Sequence, residues 1–169
     1  MPNLILTHEQ TAITWKASGG TAVLTLTSLA NNALRVGAQV DRGAAAAPMR
    51  YRWRLRTKLG ATTTGVSVGN PISVYIATAD TEDATKVDGA VGQSDASAST
   101  IEKRRNLIFL GVLEVDKTAA AGDEYIGSGV VDLDARYISP AVANESGNAL
   151  SSTAADHEFA LTPMPLEIQ

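Results

Sequence analysis

Between residues 49 and 59 the chain alternates without a break. Met49, Tyr51, Trp53, Leu55, Thr57 and Leu59 fall on one side, and Arg50, Arg52, Arg54, Arg56 and Lys58 on the other. Successive side chains of an extended chain point to opposite faces, so the pattern predicts a strand with one buried and one wet face. A helix would scatter the same cations around its circumference and leave no apolar stripe. At roughly 3.3 Å per residue the run spans about 30 Å, long enough for a central strand.

The rest of the chain supports further strands and no sustained helical period. Leu4 to Leu6 form a short apolar opening, and Trp15 ends a weakly alternating segment. Threonines at 21, 25 and 27 interleave with Val23, Leu24 and Leu26, as suits a pleated surface. Leu34, Val36, Ala38 and Val40 alternate with Arg35, Gly37 and Gln39, and four alanines then run up to Pro48. Pro71 opens a strand in which Ile72, Val74 and Ile76 face one way, leaving Tyr75 on the other. Residues 107–115 are nearly all apolar, the pattern of a strand covered on both sides. Leu107, Phe109 and Leu113 are the candidate subunit contacts there. Tyr125, Ile126, Val130, Val131 and Leu133 surround two glycines, which predicts a bulged or bent strand. Pro140 confines its segment to an edge or an irregular strand. Residues 80–101 carry few large apolar groups and predict a mobile or interacting loop. Pro163 and Pro165 predict an extended tail over 162–169, placed to reach across a neighbour.

These elements predict one all-β domain over residues 1–169, an antiparallel β-sandwich. A jelly roll of eight or nine strands fits the count, and so does an immunoglobulin-like Greek key. The net charge of −4 argues against a general nucleic-acid binder. The cations are nevertheless concentrated, since Arg35, Arg42 and the five of the long strand are half of all lysines and arginines. That cationic face is the candidate protein-interaction surface. Carboxylates on adjacent strands are the simplest compensation for it, and an acidic partner is the alternative. With no cysteine there is no disulfide and no thiolate ligand or nucleophile. No run is long and apolar enough to predict a membrane span, and no signal peptide is expected.

Catalytic and metal chemistry find little footing. Asp80, Glu82, Asp83 and Asp88, and the pair Asp132 and Asp134, lack the spacing of a calcium loop. Asp156-His157-Glu158 and His8 offer too few zinc ligands, and His157 is expected at the surface near a strand end. No serine sits in a nucleophile elbow and no glycine-rich phosphate loop is present. The expectation is a protein that is not an enzyme and needs no cofactor. Trp15, Tyr75, Tyr125 and Tyr137 are the rings available for stacking on sugars.

The arginine-rich strand, the strand from Pro71 to Thr78 and the segment Asp134-Ala135-Arg136-Tyr137-Ile138-Ser139-Pro140 give the chain a likeness to a known group. Loosely over residues 20–169 it resembles small structural proteins of tailed bacteriophages, with long threonine-rich strands, polar loops, a late Arg-Tyr strand and a proline-containing tail. The resemblance implies a capsid decoration (cement) protein of jelly-roll type. Such a protein sits on the virion as a homo-oligomer, a trimer, bridging capsomers of the major capsid protein. A carbohydrate- or receptor-binding module of the tail or baseplate is the alternative it leaves open.

Overall fold

A computed structural model of the chain describes residues 5–7, 10–43, 49–60, 69–80, 95–98, 104, 107–115 and 122–168. The strands in chain order are β1 (Ile5–Thr7), β2 (Ile13–Lys16), β3 (Ala22–Val23), β4 (Ala33–Val36), β5 (Val40–Asp41), β6 (Arg50–Lys58) and β7 (Pro71–Ala79). They continue with β8 (Ala96–Ala98), β9 (Ile108–Glu114), β10 (Glu124–Asp132), β11 (Tyr137–Asn144), β12 (Glu158–Pro163) and β13 (Leu166–Ile168). The 3₁₀ turn Ala154–Asp156 leads into β12.

Two sheets pack face to face. One has the order β10-β6-β12-β2-β3, the other β8-β4-β11-β7-β9 with β5 added beside β11. The eight strands of four or more residues are nested antiparallel pairs: β2 with β12, β4 with β11, β6 with β10, and β7 with β9. This is a long hairpin folded at the middle of the chain and rolled up, which is the jelly-roll order, and the Greek-key alternative falls away. The outermost pair, β1 with β13, continues the nesting. The tail therefore pairs within its own chain through β13, contrary to the expectation of a free arm over 162–169.

The long alternating segment is central, held between β10 and β12. Tyr51, Trp53, Leu55, Thr57 and Leu59 are buried as expected, whereas Met49 lies before the strand and is exposed. The sandwich interior joins these to Trp15, Phe159, Leu161, Ile72, Val74, Ile76, Leu113, Ile138 and Val142. Trp15 and Phe159 meet edge to face at 5.7 Å, and the Trp15 indole donates to the Ala38 carbonyl at 2.8 Å.

Several expectations change. The strand covered on both faces is β11, in which every residue is buried, and β7 comes close to it. β9 instead forms a sheet edge and exposes Ile108, Phe109 and Val112. The difference lies in position: β7 and β11 are interior strands whose outer faces, Tyr75 and Tyr137 apart, carry small residues. There Ala77, Ala141 and Ala143 join Leu34, Val36 and Leu107 in a second apolar cluster. Pro140 sits in this interior strand without losing a ladder bond, because it lies opposite the gap between β4 and β5. Its carbonyl accepts from Gly37 N–H there at 2.8 Å, and its missing N–H would face the same break. Part of the expected loop over 80–101 is the edge strand β8, and residues 81–94 and 99–101 lie outside the described residues, as do His8, Glu82, Asp83 and Asp88. Arg35 fixes β8: it donates to Asp95 through Nε at 2.9 Å and through Nη2, and through Nη1 to Ser97 Oγ at 3.0 Å. Burial opposes the Asp95 charge, but Arg35 and the Thr25 N–H outweigh it and hold the carboxyl below its usual range.

The glycines of 124–132 do not bulge the strand. β10 pairs with β6 without a register shift, and Gly129 lies opposite Trp53. A Cβ at Gly129 would stand 2.6 Å from Trp53 Nε1, one at Gly111 2.9 Å from Cζ2, and one at Gly127 2.6 Å from Leu113 Cδ1. The indole thus occupies room that side chains at 111 and 129 would otherwise fill, and Leu113 occupies that at 127, between the β9 and β10 edges of the two sheets. Gly129→Ala is expected to destabilise by about 1–3 kcal/mol through overpacking. Trp53→Phe relieves that contact, so in urea unfolding the double variant should lose at least ~1 kcal/mol less than the sum of the two singles. Additive losses would refute the wedge.

Candidate interaction surface

The outer face of the five-stranded sheet is where the cations of β6 emerge. Antiparallel register sets them in transverse rows with residues of β10 and β12. Lys58 lies opposite Glu124 and Arg56 opposite Ile126 and Glu158. Arg54 lies opposite Ser128 and Ala160, Arg52 opposite Val130 and Thr162, and Arg50 opposite Asp132. Beyond β12, Thr14 extends the Arg54 row.

Carboxylates gather at the two ends of this face. Lys58 Nζ is 3.0 Å from Asp156 and Lys16 Nζ 3.1 Å from Glu158. Arg56 approaches Glu124, and Arg50 approaches Asp132, each at 3.9 Å. Compensation by neighbouring strands is thus realised at the ends, with solvent-exposed pairs of a kind worth about 0–1 kcal/mol. Among the described residues the face holds six cations, Lys16, Arg50, Arg52, Arg54, Arg56 and Lys58. Against them stand four carboxylates, Glu124, Asp132, Asp156 and Glu158. It is a net-positive surface on a chain of net charge −4. Half-exposed Ile126 and Val130 flank its middle on β10.

Arg35 and Arg42, the other members of the early cationic group, work inside the fold. Arg42 donates to the carbonyls of Ala135 at 2.8 Å and Leu133 at 3.1 Å, and to Tyr51 Oη at 3.2 Å, while standing over the Tyr51 ring. It ties β5 in one sheet to β6 in the other. Arg136 grips Asp41 with two nitrogens, at 2.9 and 2.6 Å, and with the Gly43 N–H holds that carboxyl at about 2.

His157 is not at the surface. It is buried beneath the cationic face, and its Nε2 lies 2.9 Å from the Ser151 carbonyl oxygen. A carbonyl only accepts, so Nε2 carries the proton. Nδ1, 2.8 Å from Thr57 Oγ1, then accepts from that hydroxyl. Both ring nitrogens are satisfied in the neutral form, and burial pushes the imidazole below its ordinary value, with Arg56 and Lys58 adding repulsion. Ser151 Oγ donates to Asp156 Oδ2 at 2.6 Å, and Arg56 donates to the Ala155 carbonyl at 2.7 Å. Ser151 and then Lys58 hold Asp156 below its usual range. The serine hydroxyl is turned to the aspartate and the histidine to the backbone, so the three do not form a nucleophilic relay. They clamp residues 151–157 onto β6.

The candidate subunit contacts divide. Leu113 joins the sandwich interior and Leu107 the second cluster, both under 10% exposed, whereas Phe109 is 58% exposed and meets Tyr75 edge to face at 5.5 Å. Of the rings considered for sugar stacking, Trp15, Tyr125 and Tyr137 are buried and Tyr75 is half-buried. A cleft of about 400 Å³ opens where the ends of β9 and β10 diverge, lined by Val112, Glu114, Asp123, Glu124 and Ile126. Among the described residues no group of three or more metal-ligating side chains converges and no helix is long and apolar enough to cross a membrane.

The role of β10 in this surface escaped the sequence reading, which grouped Ile126 and Val130 with Tyr125 and Val131 as one apolar set. The missed signal was the alternation Glu124, Ile126, Ser128, Val130, Asp132 against Tyr125, Gly127, Gly129, Val131. Lys16 and Glu158 join the face only through the sheet order. Compared with protein-family models and with curated proteins, the chain matches none.

The buried histidine generates a pH prediction. Its unfolded-state pKa is near 6.5 and its folded value lies lower, so the unfolded chain takes up the proton first. The stabilisation is complete above about pH 6.5 and declines as pH falls below it. Asp41, Asp95 and Asp156 lose theirs only below the ordinary carboxylate value of 3.8. Urea midpoints should therefore drop between pH 7.5 and 5.0 in the wild type. The drop should be smaller in His157→Gln, and an equal drop would remove His157 as its source.

Proposed function

We propose that the protein is a non-enzymatic structural component of a virion, seated on the outside of a bacteriophage capsid and holding neighbouring capsomers of the major capsid protein together. The observation that carries this reading is the net-positive outer face of the five-stranded sheet on an otherwise acidic jelly roll. A charged outer sheet face suits attachment to a large protein surface of opposite sign better than it suits enclosing a small substrate. In this reading the protein works as a homo-oligomer, a trimer by the resemblance drawn from its sequence. Exposed Phe109 on the β9 edge, on the other sheet, is then the ring a second copy covers, backed by Leu107 and Leu113 from within.

Division of labour between the two sheets follows: cations toward the shell, apolar edge toward sister copies. Attachment through exposed charges is sensitive to ionic strength, because screening shortens to about 8 Å at physiological salt and further above it.

Cryo-electron microscopy of the native particle tests the proposal. Density fitting this jelly roll is expected on the outer shell, with the five-stranded sheet toward the capsid. Particles made without the protein should rupture at a lower temperature. Density at the tail tip would replace the shell role with the receptor-binding one, and density nowhere on the particle would end both.

A further inference from the structure

The five cations of β6 are not equivalent. Arg50, Arg56 and Lys58 each have a carboxylate within 4 Å. Arg54 is exposed and makes no ion pair with any described residue. Its row is also the one with the shortest side chains, Ser128 on one side and Ala160 then Thr14 on the other. One row away on β10, Ile126 is 54% and Val130 50% exposed. The guanidinium therefore rises from a shallow trough across the strands, with an aliphatic post at either side of its open end.

We propose that this trough is an attachment point for an acidic protein surface: a partner carboxylate enters it and accepts two N–H bonds from Arg54, while aliphatic groups around that carboxylate cover Ile126 and Val130. The inference rests on the assembly reading above and narrows it to one residue and one partner chemistry. An arginine fork matches a carboxylate in two parallel bonds, and such a bond gains strength when apolar neighbours exclude water from it. The small side chains of the row let a partner strand or loop approach the sheet closely.

Two other occupants fit less well. A second copy presenting the same face would bring its own excess of cations against this one. A nucleic-acid backbone following β6 would meet Glu124 and Asp156 at one end and Asp132 at the other. It would also find no ring to stack on along β6, because Tyr51 and Trp53 point inward.

Co-sedimentation with capsid shells prepared without this protein provides the test. Arg54→Glu and the milder Arg54→Gln should each weaken binding, the former at least tenfold, with thermal midpoints close to the wild type. Arg136→Gln, which removes a cation elsewhere, should change binding less than threefold. Arg54→Lys should retain part of the affinity, and carbodiimide should couple it to an aspartate or glutamate of the shell protein. Wild-type binding that both Arg54 variants leave unchanged overturns the attachment point while the shell reading stands. Absence of wild-type binding overturns both. Binding of a 20-nucleotide single-stranded DNA that Arg54→Glu abolishes would make phosphate the ligand and overturn the acidic protein partner.

Discussion

The register of β6 is the constraint on which the rest of the structure depends. Because side chains of a strand alternate with period two, a slip of one residue against β10 or β12 would drive the cations of this strand into the sandwich and eject Tyr51, Trp53 and Leu55. Burying an unpaired cation costs several kcal/mol, so no neighbouring register competes. Once β6 is placed, its two partners are placed, and with them the rows of side chains on both faces. The interior accepts the large ring of Trp53 because Gly111 and Gly129 withdraw from it, while Gly127 makes room for Leu113 beside it. The outer surface inherits its charge layout from the same register.

The class of fold was legible in the sequence, because the signals that carry it are local. Alternation at 49–59 and the strand opened by Pro71 both appear with the expected residues facing inward, apart from Met49. What was not legible depends on which strands become neighbours. An apolar run reads alike whether it sits in a sheet interior or at an edge, so 107–115 reads as a doubly covered strand although β11, half of it alanine, serine and proline, fills that place. Pro140 was read by its missing donor alone, without the break at residues 37–39 that makes the donor unnecessary. His157 looked like a surface residue because its partners, Thr57 and Ser151, are distant or unremarkable in the chain.

The candidate surface shows the same division. Its cations were evident from the start, but their inequality was not. Only pairing with β10 and β12 reveals that acids collect at the ends of the face and leave the Arg54 row without one among the described residues. Exposed ion pairs add little to stability, and their arrangement matters more for where a partner is admitted than for how firmly the domain folds. Beneath that face, the neutral histidine and the Asp156 clamp keep the segment before β12 against the sheet.

The nested order has a kinetic corollary. β12 inserts between β6 and β2, so the middle of one sheet is supplied by a strand made after all the others of that sheet. On a ribosome, β2 and β6 emerge early and wait with unsatisfied backbone edges until residues 158–163 arrive. Contacts of such long sequence separation delay folding and leave adhesive intermediates open to aggregation. The row of arginines, projecting from the longest of those waiting strands, repels its own kind and discourages premature edge-to-edge sticking during that interval.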